Sequence, residues 1–90
     1  MPRYLIERKF PDGLRIPLDE AGARVCQSIV DNNIHEGVTW LHSYATLDRK
    51  RTFCVYDGPS PEAVRRAAER NKLPVHTITE VRVLDPYFYK

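Results

Sequence analysis

Hydrophobic and polar positions along this chain fall into six runs separated by turn chemistry. "RYLIERKF" (3–10) has strand composition, uninterrupted by Gly or Pro until Pro11-Asp12-Gly13 supplies a turn. From Pro17 to Asn33, apolar residues recur at Ala21, Val25, Cys26, Ile29, Val30 and Asn33/Ile34, one face of a 3.6-residue period. That helix starts at Pro17 or Asp19 and stops at Gly37, although Gly22 costs up to ~1 kcal/mol in its first turn. "VTWLHSYATLDRKRTFCVYDGPSP" (38–61) then reads as two strands turning around Leu47-Asp48-Arg49. A second helix follows, with Ser60 as N-cap and Pro61 at its first position. Ala63, Val64, Ala67 and Ala68 form its buried stripe, and Asn71 and Pro74 end it. "HTITEVRVL" (76–84) is the last strand, and "DPYFYK" is an aromatic tail.

The order β-α-β-β-α-β, with a right-handed crossover in each half, predicts an α+β ferredoxin-like plait. Its four-stranded antiparallel sheet has order 4-1-3-2, both helices cover one face, and residues 1–90 form a single domain.

Side chains alternate across a strand, so the pairing of the hairpin decides which of them meet. A turn centred on Asp48 sets His42 opposite Cys54, Trp40 opposite Tyr56 and Tyr44 opposite Thr52. Leu41, Val55, Ser43 and Phe53 then point at the helices, leaving Trp40, His42, Tyr44, Cys54 and Tyr56 on the uncovered face. Cross-strand neighbours hold Cβ atoms ~4.5–5.5 Å apart, close enough for imidazole and thiolate to share one ion. If Tyr4 and Ile6 face the helices, Glu7 joins His42 and Cys54 from the neighbouring strand. In the last strand, Val81 and Val83 are expected in the core, and Glu80 and Arg82 on the open side. An open face bearing Trp40, Tyr44 and Tyr56 is too apolar to stay in water, so a homodimer through that face is expected.

Composition narrows the function classes. The chain is 42% hydrophobic and 29% charged with a net charge of +2, the values of an ordinary globule. Its basic clusters, "DRKR" (48–51) and "AVRRAAERNK" (63–72), read as solvated surface; no nucleic-acid partner is expected. No apolar run approaches a membrane span or a secretory h-region, which together with reduced Cys26 and Cys54 suggests the cytoplasm. Glycines at 13, 22, 37 and 58 are isolated, and no nucleophile elbow or paired carboxylates stand out. Catalysis therefore has no positive signature.

Three phrases, "MPRYLIERKFP", "EGVTWLHSYATLDRKRTFCVYDGPSPEAVRRAAERNKLP" (36–74) and "ITEVRVLDPYFY" (78–89), resemble the small bacterial nickel-binding, nickel-responsive proteins. The resemblance implies a ferredoxin-like fold, a cytosolic homodimer and nickel binding. "WLHSY" and "TFCVYD" stand as in that family, so His42, Cys54 and the first-strand Glu7 are the positions it carries over. The expectation is a dimeric, cytosolic protein that binds a divalent metal, nickel first, with other divalent ions not excluded. Its role would be storage, buffering or detoxification rather than catalysis. The competing reading is a dimeric α+β-barrel enzyme, a small monooxygenase or isomerase. It would hold an aromatic substrate on the open face, with His42 as acid–base and Tyr44 or Tyr56 orienting.

Overall fold

A computed structural model describes residues 1–14, 16 and 20–87. Strand β1 (Arg3–Lys9) is followed by helix α1 (Glu20–Ile34), strands β2 (Thr39–Ala45) and β3 (Arg51–Asp57), helix α2 (Pro61–Arg70) and strand β4 (Thr77–Val81). The strands pair antiparallel in the order β2-β3-β1-β4, the expected plait read from its other edge. The expected start of the first helix, at Pro17 or Asp19, lies outside the described residues.

Helix boundaries follow local chemistry. Val38 N–H reaches Asn33 O and Gly37 N–H reaches Ile34 O. This paired closure needs a left-handed residue at Gly37, whose φ is +67°. Helix α2 starts with the Ser60 hydroxyl accepting a hydrogen bond from Ala63 N–H at 3.2 Å, a cap worth about 1 kcal/mol. It closes in the same manner as α1, with Lys72 at φ +55° taking the left-handed place.

The core lies between the sheet and the helices. Tyr4 and Ile6 of β1, Cys54 and Tyr56 of β3, and Val38 pack against Ala63, Val64 and Ala67 of α2. On α1 the buried line is Gly22, Ile29 and Asn33, with Cys26 half-buried. Val25, Val30 and Ile34 of the expected stripe are exposed, so the buried face of α1 is narrower than the sequence pattern.

The hairpin register departs from the expected one, and the loop is the cause. Thr46 and Arg51 close a four-residue connection through Leu47–Lys50: Thr46 N–H donates to Arg51 O at 3.0 Å. The Asp48 carboxylate accepts from Thr46 Oγ1 and from Lys50 N–H, holding the loop together. One residue more than the expected turn shifts the pairing, so Ser43 faces Cys54, His42 faces Val55 and Tyr44 faces Phe53. A bulge at Leu41 absorbs the shift, and Trp40 regains Tyr56 as its partner.

Expected placements in the hairpin and in β4 are corrected. Cys54, Trp40 and Tyr56 lie on the helix-covered side, with Cys54 and Tyr56 buried and Trp40 packed against the core. Phe53 and Val55 take the open side instead. In β4, Ile78 opposite Ile6 is the core residue, which sends Val81 to the open face and Glu80 to the covered one.

Candidate functional site

The open face presents His42 and Tyr44 from β2, Phe53 and Val55 from β3, Leu5 and Glu7 from β1, and Thr77, Thr79 and Val81 from β4. Tyr44 is 65% exposed and His42 is also exposed. Their rings meet edge to face, centroids 5.3 Å apart at 85°, which restrains the imidazole on the surface. Leu5, Phe53 and Val55 are half-buried, so the centre of this face is an apolar strip. The Glu7 carboxylate sits 3.8 Å from the Arg51 guanidinium, a loose pair between neighbouring strands.

Of the three expected metal donors, His42 and Glu7 share the open face and Cys54 does not. Strand β3 separates the first two, with Val55 opposite His42 and Phe53 opposite Glu7. Two strand spacings put them about 9–10 Å apart across the sheet, plus a two-residue offset along it. The Cys54 thiol, 7% exposed, points under the helices and contacts Thr52 Oγ1 at 3.6 Å. No group of three or more His, Cys, Asp or Glu able to hold a metal occurs among the described residues. Imidazole and carboxylate suit nickel as ligand types, but a single chain does not converge them on one point.

The covered face carries a polar cluster that alternation alone signals, because Arg8 continues the inward phase of Tyr4 and Ile6. Arg8 is 2% exposed. Its Nη1 donates to Pro74 O at 2.8 Å and its Nη2 reaches the Tyr56 hydroxyl at 3.5 Å. The guanidinium carbon stands 6.0 Å from the centre of the Tyr56 ring. Burial pushes the Tyr56 phenol up, and the neighbouring Arg8 charge opposes that shift. The three aromatics expected on the open face, as the lining of any pocket there, thus divide, with Tyr44 in the open and Trp40 and Tyr56 on the helix-covered side. Of the two tyrosines that the enzyme reading offered to orient a substrate, Tyr56 lies in the core.

The chain matches, over residues 4–81, the family described as nickel responsive protein SCO4226-like. It belongs to that family. The fold is similar to that of the crystal structure of SCO4226 from Streptomyces coelicolor A3(2). The TM-score is 0.72 with 22% identity, across 92% of this chain and 99% of that one. Among curated proteins none matches. The family is named for a response to nickel rather than for a reaction, in keeping with the missing catalytic signature. No described helix is long and apolar enough to cross a membrane.

Proposed function

We propose that this family member is a cytoplasmic nickel-binding protein serving storage, buffering or detoxification rather than catalysis. Its ion would be held where two copies meet at their open sheet faces. One observation carries this reading: His42 stands exposed beside Tyr44 on an uncovered sheet whose centre is apolar. A lone imidazole is a weak site, and the separation of Glu7 from His42 within one chain asks for donors from a second copy. Apposition of two such faces would bring in a second imidazole and a second carboxylate, and would cover Phe53 and Val55. Nickel would supply charge and a preference for nitrogen donors; the chain's part is to orient the His42 imidazole.

Isothermal titration of nickel into protein free of a histidine tag tests this reading. His42→Ala should weaken binding at least about tenfold, and Glu7→Gln should weaken it less. Cys54→Ser should leave the affinity within about twofold, since its sulfur faces the helices. Loss of binding in Cys54→Ser with retention in His42→Ala would overturn the proposed donor. Ligation needs an unprotonated imidazole, so binding should fade in buffers below about pH 6.

A further inference from the structure

Beneath α1, on the side of the sheet away from His42, small residues leave space. Ser43 and Ala45 on β2 and Thr52 and Cys54 on β3 are adjacent and short, so the sheet floor there is low. Phe10, Leu14, Ile16, Ile29, Trp40 and Leu73 wall a cavity of about 100 Å³ above them. A water needs only ~10–15 Å³, and an apolar cavity of ~150 Å³ is known to admit benzene, so this volume suits a ligand of a few heavy atoms.

Arg8 and Tyr56 complete the lining. Buried charges are ordinarily paired, because an unpaired ion in low-dielectric surroundings costs several kcal/mol. Arg8 forms no ion pair with a carboxylate among the described residues. Its Nη1 is committed to Pro74 O, its Nη2 contact with Tyr56 is long, and its Nε has no hydrogen-bond partner. On the edge of the guanidinium formed by Nε and Nη2, Nε is thus without a partner among the described residues and Nη2 holds only the long bond to Tyr56; that edge is the fork that grips a carboxylate with two parallel bonds.

A groove of about 480 Å³ adjoins the cavity, sharing Leu14, Ile16, Ile29 and Leu73. Its lining adds Arg24, Arg70 and Lys72 and no described acid. Arg70 is held by Glu36, which leaves Arg24 and Lys72 to set the sign of the approach. An apolar chamber, a buried guanidinium with an unpartnered Nε and a basic entrance together specify one ligand chemistry.

We propose that this cavity binds a small monocarboxylate with a branched or cyclic apolar body, its carboxylate taken by the Nε–Nη2 edge of Arg8. The site is independent of the nickel reading, since it lies on the other face and shares none of its donors. Binding would shift Arg8 enough to open its Nε, replace the long Tyr56 contact and fill the space over Ser43 and Ala45.

Trp40, the chain's single tryptophan, lines the cavity and reports on it. Full-length protein is titrated with isobutyrate and, in parallel, with the neutral isostere isobutyramide, following Trp40 fluorescence and the arginine Nε–H resonances. Isobutyrate should bind saturably and shift the Arg8 Nε–H signal, with isobutyramide at least about tenfold weaker. Arg8→Met should abolish the preference for the acid, and Arg8→Lys, which keeps charge without the fork, should retain only part of it. The wild-type comparison stands even if the variants fail to fold. Equal affinity for acid and amide, no saturable binding, or Nε–H shifts confined to Arg24 and Arg70 would each overturn the proposal.

Discussion

Cys54 shows how one side chain's chemistry depends on its side of a sheet. On the open face it would be a ligand; under the helices it is a small apolar filler with a contact to Thr52. Both cysteines are free, Cys26 half-buried on α1 and Cys54 buried in the core. A thiol reagent should therefore modify Cys26 in the native protein far faster than Cys54, which reacts freely on unfolding. Counting reactive thiols with and without denaturant checks this, and two fast thiols in native buffer would contradict the placement. Glu7 was legible from strand alternation, and the structure keeps it on the open face. Cys54 was not, because its side depends on a loop whose length local residue types leave open.

Elements are joined here by a few polar contacts at their ends. Glu36, just beyond α1, accepts from Arg66 Nε at 2.8 Å and Arg70 Nε at 2.9 Å, clamping α1 to α2. A ladder of amides adds to it: Asn32 donates to Asn71, and Asn71 donates to Asn33. Arg66 first, then Arg70, hold the Glu36 carboxyl below its ordinary value of 4.5. A carboxyl depressed in the folded state adds stability above its unfolded pKa, and loses it as pH falls through the folded one. Stability should therefore drop on acidification below about pH 4.5, and Glu36→Gln should flatten part of that drop. Urea midpoints measured from pH 7 to pH 3 give the comparison; identical slopes for both proteins would rule the clamp out. The arginines are half exposed, so the effect should also shrink with added salt.

At the scale of the whole molecule, one face of the sheet carries no helix. A chain of 90 residues folded as one compact body has a radius of gyration near 12 Å, whereas this one measures 13.5 Å. Beyond β4, Val83, Leu84 and Tyr87 are all at least two-thirds exposed. Apolar residues on an unpaired segment, next to an apolar sheet face, are what an isologous dimer would bury. Sedimentation equilibrium should return twice the chain mass, and ending the chain after Val81 should weaken association. A monomer at micromolar concentration would remove the basis for a nickel site shared between copies.

Much of this protein was settled by its residue pattern. The element order and the antiparallel plait follow from alternation, caps and turn residues, because each depends on neighbours in the chain. So do the inward phase of Tyr4 and Ile6 and the α2 stripe, which the structure buries. Tertiary structure decided which face each hairpin residue takes. Side chains alternate with period two, so one added loop residue sets β3 out of phase with His42 and Tyr44, and the bulge at Leu41 restores the pairing of Thr39 and Trp40 with Asp57 and Tyr56. Tertiary structure also decided that Arg8 is sealed in without a carboxylate among the described residues, and that small residues on two strands coincide to leave a chamber beside it. Such facts depend on residues far apart in the chain meeting in space, and no local periodicity encodes where they meet.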